Sequence, residues 1–172
     1  MKKGALDING FTLIELVLVV ALLGLALIIS TVNLFRPLPK AQANSSASGI
    51  LSQLRATQNK AMNTVVGTGT VASDYGIHFE ANRYILFKGS TFDASDPVNF
   101  VIDTLTNILL TPNLPCASPP SDCNNIVFEK ISGEVVDFDG STNSVCVTET
   151  SINKTVSLTV NFVGVVDVQE GC

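Results

Sequence analysis

Charge is scarce in this sequence, and basic charge scarcer still. Of 172 residues only 15% are Asp, Glu, Lys or Arg, with ten basic side chains against fifteen acidic ones and one histidine. Soluble chains ordinarily carry about 25% charged residues. At 46% apolar the chain is not rich enough for a polytopic membrane protein and too rich for disorder. No internal repeat or low-complexity array is present, and the length suits one soluble domain. Residues 41–172 hold six basic and thirteen acidic side chains, a net of −7. A surface that tracks phosphates needs clustered Lys and Arg, so this balance argues against nucleic acid as a partner. Gly67-Thr68-Gly69 lacks the following glycine and lysine of a phosphate loop. No serine, cysteine or acidic constellation offers a nucleophile beside a base. His78 falls at a polar position of an alternating segment and is expected to be exposed. The expectation is no enzyme and no cofactor.

What is present is one long apolar run. Residues 11–29 contain 16 apolar side chains in 19 positions, interrupted only by Thr12, Glu15 and Gly24. As a helix this run spans about 28 Å, close to the hydrocarbon thickness of a bilayer, and extending it to Phe35 leaves margin for tilt. A cleaved signal peptide fits poorly. Signal cores are about 7–15 residues long, and the small-x-small site Ala41-Gln42-Ala43 lies well beyond the apolar core, behind Pro37, Pro39 and Lys40. Glu15 separates a plain anchor from something more specific. An ionised side chain costs at least ~2.5 kcal/mol at the centre of a membrane helix, less near an end, and normally has a partner. A free α-amino group made by cutting after Gly10 would be such a partner. Supplied by one chain to the Glu15 of its neighbour, it would make the carboxylate a register device in a packed helical assembly.

Gly10-Phe11-Thr12-Leu13-Ile14-Glu15-Leu16, preceded by the short basic leader Met1 to Gly10 and followed by the apolar run, resembles the processing motif of type IV prepilins and type II secretion pseudopilins. The resemblance covers residues 1–35. It implies cleavage between Gly10 and Phe11 by a prepilin peptidase, N-methylation of Phe11, and assembly through Glu15. The later chain is similar, more loosely, to pseudopilin H-like minor pilins in its polar helix Ser52 to Ala61, early hairpin and β-rich end.

Pro37 and Pro39 interrupt or kink the helix. From Ala41 to about Thr64, Ile50, Leu54, Ala61 and Val65, beside Leu51 and Met62, form an apolar stripe expected to pack on a sheet of the same domain. At Tyr75 the period becomes two. Tyr75 to Phe79 and Arg83 to Lys88, around Ala81-Asn82, predict a hairpin. Further strands are expected at 98–103, 125–131, 134–138, 144–149, 155–162 and 165–168, with 111–124 an irregular loop rich in Pro, Ser and Asn. The fold class expected is α+β and pilin-like: a long N-terminal helix, its first half membrane-spanning, packed on an antiparallel β-sheet domain.

Cys116, Cys123, Cys146 and Cys172 all lie in the part that would be exported, where an even count suggests two disulfides of three possible connectivities. Cys116–Cys123 and Cys146–Cys172 are favoured. No Cys-x-x-Cys spacing exists and the lone histidine is distant, so no zinc site is expected. Asp137-Phe138-Asp139-Gly140-Ser141-Thr142-Asn143 has calcium-loop colouring but the wrong spacing, with Gly140 fourth and Thr148 twelfth. A hairpin turn between two strands explains it, and no metal is assigned, although some secretion pseudopilins hold calcium. Asp93 and Asp96 read as a solvated loop.

The expected organisation is a leader at 1–10, a membrane-spanning and filament-core helix at 11–35, a kink and amphipathic second half at 36–64, and an exported β-rich domain at 65–172. The expected function is that of a structural subunit, a minor pilin or pseudopilin of a type IV pilus or type II secretion pseudopilus. Its partners would be other pilin or pseudopilin subunits, the prepilin peptidase, an assembly platform in the cytoplasmic membrane, and membrane lipid. Such a chain crosses the cytoplasmic membrane once, with its C-terminal domain exported, and ends in a periplasmic or cell-surface filament. The alternatives are a membrane-tethered binding module that never polymerises, which would retain residues 1–10, and a secreted soluble protein beginning at Asn44.

Overall fold

A computed structural model describes residues 12–34, 37–63, 72–115 and 124–172, the side chains of 29–34 and 37 excepted. Two compact units emerge, one ending at Leu38 and the other comprising Pro39–Cys172.

The first unit contains α1, Leu13–Leu34. Leu, Val, Ile and Ala dominate it, and every described residue from Thr12 to Ile28 is exposed. Among the described residues, no helix is long and apolar enough to cross a membrane.

The second helix, α2, runs from Pro37 to Met62, and the junction at 35–36, where the interruption or kink ahead of the prolines would begin, lies outside the described residues. The helix buries Ala43, Ala47, Ile50, Leu54, Thr57 and Ala61, spaced alternately four and three residues apart along one face. Val65, placed on this stripe by the sequence, lies outside the described residues.

Among the described residues, eight strands follow in two antiparallel sheets. The first has the order β3-β2-β1-β5 and the second β4-β6-β7-β8. Their ranges are Tyr75–Phe79 (β1), Arg83–Lys88 (β2), Phe100–Asp103 (β3), Ile108–Asn113 (β4), Asn125–Phe128 (β5), Ser144–Glu149 (β6), Lys154–Val160 (β7) and Val166–Glu170 (β8). The expected hairpin forms between β1 and β2, pairing Tyr75 with Lys88 and Phe79 with Tyr84. One core joins α2 to both sheets: Ile50 and Leu54 of the helix cluster with Ile77, Phe79 and Phe128 of the first sheet and Val145, Val147 and Leu158 of the second. The helix stripe thus packs on sheets of its own domain, and the α+β class stands.

Three local expectations fail. Residues 111–113 are not loop but the end of β4, through Pro112, which pairs with Val145. Pro112 is tolerated because β4 is an edge strand, where a missing ladder donor disrupts no second neighbour. Residues 134–138 form no strand. They contribute only an isolated bridge between Phe128 and Val135, because the chain there passes through left-handed backbone at Gly133 (φ 72°) and Asp137 (φ 53°). The segment 137–143 is consequently a turn but not the tip of a strand-to-strand hairpin. His78, the third correction, is buried. Its ring stacks on Phe92 with centroids 4.0 Å apart, and its Nδ1 lies 2.7 Å from Asn125 Oδ1.

Candidate functional site

The chemistry-bearing end of α1 is its first turn. Thr12 precedes the helix, and its carbonyl accepts hydrogen bonds from the N–H groups of Glu15 (3.1 Å) and Leu16 (3.2 Å). Its hydroxyl donates to Glu15 Oε2 at 3.5 Å. Thr-x-x-Glu before an apolar run is the capping-box pattern. It places a carboxylate at the positive end of the helix dipole, worth about 0.3–1 kcal/mol. This spacing is legible in the sequence, yet it gives Glu15 a local role that the assembly reading did not include. Gly10 and Phe11, the expected cleavage and methylation residues, lie outside the described residues.

Beyond that turn, residues 16–28 are apolar on every side of the helix. Twelve large apolar side chains from Leu13 to Ile28 are each between 42% and 82% exposed. At 100° per residue they leave no polar face. A helix of this kind requires apolar surroundings all round, as a membrane span or the centre of a bundle provides. At ~1.5–3 kcal/mol per side chain fully removed from water, finishing the burial of all twelve is worth on the order of 10–20 kcal/mol. The cost of one carboxylate near a membrane edge, below the ~2.5–3.5 kcal/mol of mid-membrane sites, is small beside that. The apolar surface therefore outweighs the carboxylate in deciding where the helix goes.

In the second unit the polar groups organise the fold. Gln58, on α2, donates from Nε2 to the carbonyls of Gly133 (2.9 Å) and Val163 (2.8 Å), tying two loops to the helix. Gly164, at φ +78°, lies against that amide, and a Cβ there would collide with Gln58 Nε2. Ile131 donates its N–H to the Ala61 carbonyl at 3.2 Å and so caps the end of α2. It does so with φ 74°, a strained setting for a β-branched residue. At the other end of α2, Asn107 Nδ2 bridges Gln42 Oε1 (2.8 Å) and Glu149 Oε1 (2.7 Å). Glu149 occupies an inward position of β6 and is fully enclosed. Enclosure pushes its pKa up, but hydrogen bonds from the Ser151 hydroxyl, Asn107, and the Ile152 and Ser151 N–H groups outweigh it and hold the carboxylate below its ordinary range. Neither Gln58 nor Glu149 stood out in the sequence.

Cys146 and Cys172 are joined, with Cα atoms 6.0 Å apart, fixing the C-terminus to β6. Cys116 and Cys123 lie outside the described residues. Asp139 Oδ1 accepts from Ser141 N (3.0 Å) and Oγ (2.9 Å), and these bonds lower its pKa. Its carboxylate is thus engaged by its own turn. Asp93 is held the same way by Ser95. Among the described residues, no group of three or more His, Cys, Asp or Glu side chains is placed to hold a metal ion.

Residues 7–31 match the prokaryotic N-terminal methylation motif. No curated protein matches the sequence. Among solved structures, the minor pseudopilin EpsH from the Type 2 Secretion System of Vibrio cholerae has a similar fold: 14% identity, 75% of this chain and 97% of that chain covered, TM-score 0.50. The chain thus carries an N-terminal methylation motif and has a fold similar to that of a minor pseudopilin.

Proposed function

We propose that this chain is a structural subunit, a minor pilin or pseudopilin, of a type IV pilus or type II secretion pseudopilus, with no catalytic role. The observation that carries the reading is α1. An all-round apolar helix, opened by a capped glutamate and coinciding with the methylation motif, has no use in a free soluble protein.

In this reading residues 1–10 are a leader removed by a prepilin peptidase between Gly10 and Phe11, and Phe11 is then N-methylated. Residues 11–35 hold the chain in the cytoplasmic membrane as a single span until an assembly platform transfers it into a filament. There, neighbouring apolar helices replace lipid around α1. The new amine of Phe11 in one subunit pairs with Glu15 of the next, a buried ion pair that specifies register more than it adds stability. Residues 36–64 and the β-rich domain at 65–172 lie outside the cytoplasm.

Replacing Glu15 with valine separates the two roles of α1. Membrane retention, measured by carbonate extraction, should be unchanged, since apolar area alone drives it. Incorporation into filaments, measured by cross-linking to neighbouring subunits, should fall at least tenfold. Normal incorporation of Glu15→Val would overturn the pairing.

A further inference from the structure

Among the described residues, four strand edges bound the two sheets, and three of them are guarded. β4 carries Pro112, and β8 carries Asp167 and Glu170, devices that discourage further pairing. The edge at β5 is covered by the chain itself, through the bridge from Phe128 to Val135 and the bond from Val136 N–H to the Val127 carbonyl. β3 differs. Among the described residues it is the outermost strand of its sheet. Phe100 and Val101 are 63% and 47% exposed, and its one charge, Asp103, sits at the far end.

Beside this edge lies a groove of about 360 Å³ between α2 and the strands of the first sheet. Tyr75, Leu86 and Phe100 supply apolar surface, Gln53 a polar group, and Lys60 and Lys88 positive charge, with Lys60 Nζ 4.8 Å from the Tyr75 ring centre. No Asp or Glu lines it. In a region with six basic and thirteen acidic side chains, two of the six basic groups meet here and none of the acidic ones does. The groove therefore opposes the sign of the domain around it, and its volume, at the low end of the ~300–1,000 Å³ of ligand sites, suits a few side chains.

We propose that β3 and this groove receive an extended acidic segment of a partner protein, added as a fifth strand of the sheet. Its backbone would pair with the outward N–H and C=O groups of β3, while alternate side chains enter the groove, apolar ones against Phe100 and carboxylates toward Lys60 and Lys88. Backbone pairing supplies affinity in such strand addition, and the pockets supply selectivity. The proposal stands whether or not the chain polymerises.

The test uses the full chain in nanodiscs of zwitterionic lipid and two fluorescein-labelled hexapeptides, one alternating Val with Glu and one alternating Val with Lys. Fluorescence anisotropy should show at least tenfold tighter binding of the Glu peptide. Hydrogen exchange should slow at the amides of 100–103 when it binds. Lys88→Glu, at an exposed side chain, should weaken the Glu peptide at least tenfold and admit the Lys peptide. Phe100→Ala should weaken both without altering urea unfolding. Equal binding of the two peptides, undiminished affinity in Lys88→Glu, or binding without protection of β3 would each overturn the proposal. The last outcome would leave only a carboxylate site at the lysines.

Discussion

Cutting the Cys146–Cys172 bridge separates what a covalent link does to the unfolded chain from what it does to the native one. The bridge spans 26 residues. In the chain-entropy model a loop of that length restricts the unfolded ensemble by roughly 3.5 kcal/mol at 25 °C. The native end of the chain has other restraints: Gly171 N–H donates to the Thr155 carbonyl at 3.0 Å, and Lys154 Nζ lies 2.8 Å from Glu170 Oε2. In the double variant Cys146→Ser, Cys172→Ser, β8 should therefore keep its place in the sheet, and the loss should appear almost wholly as lower stability. For residues 39–172, the unit that contains the whole core, an unfolding entropy of about 2.1 cal/mol/K per residue converts that loss to a fall in Tm of about 12 °C. Circular dichroism melts of the two proteins measure the shift, and hydrogen exchange at 166–170 reports whether β8 remains paired. A shift under about 3 °C would refute the entropic reasoning. A full shift with β8 exchanging freely would refute the claim that its other contacts hold it.

Four further outcomes follow from the polar contacts. Gln58→Ala should cost about 1–3 kcal/mol in urea unfolding, since two carbonyls lose their donor. Gly164→Ala should cost at least ~1 kcal/mol for its positive φ alone, and less in a Gln58→Ala background, where the collision is gone, a coupling that a double-mutant cycle reads directly. Ile131→Gly should raise stability by about 1 kcal/mol by relieving left-handed strain, and a destabilised variant would mean the side chain has a contact that outweighs the strain. Glu149 has a folded pKa below its ordinary value near 4.5, so its contribution is present above that pH and is lost as pH falls through the folded value. Urea midpoints taken from pH 6 to 3 should fall less steeply in Glu149→Gln than in the parent, and parallel curves would refute the assignment.

The sequence reveals most where one physical requirement acts alone. An apolar run with a single carboxylate has few other uses, and Tyr75, Ile77 and Phe79 alternate with Gly76, His78 and Glu80, so α1 and β1 could be placed from pattern. Legibility ends where tertiary context overrides local preference. Pro112 reads as a breaker until β4 is known to be an edge. Val135 and Val136 read as strand, but positive φ at Gly133 and Asp137 removes the regular backbone on both sides. His78 reads as polar and exposed, yet Phe92, fourteen positions on, folds over it. Glu149 occupies an inward position of β6, and hydrogen bonds from Ser151, from Asn107 on another strand connection and from Ile152 make a buried carboxylate tolerable. In Gln58 the decisive partners lie 75 and 105 residues away, a separation no local pattern encodes.

The most direct test of the central claim is the mature N-terminus. Intact mass and N-terminal sequencing of the membrane-extracted chain, from cells with and without a prepilin peptidase, distinguish a filament subunit from a fixed anchor. The account predicts a chain beginning at Phe11 with one added methyl group when the peptidase is present, and one beginning at Met1 when it is absent. A start at Met1 in both would contradict it and leave Glu15 as no more than the cap of its helix.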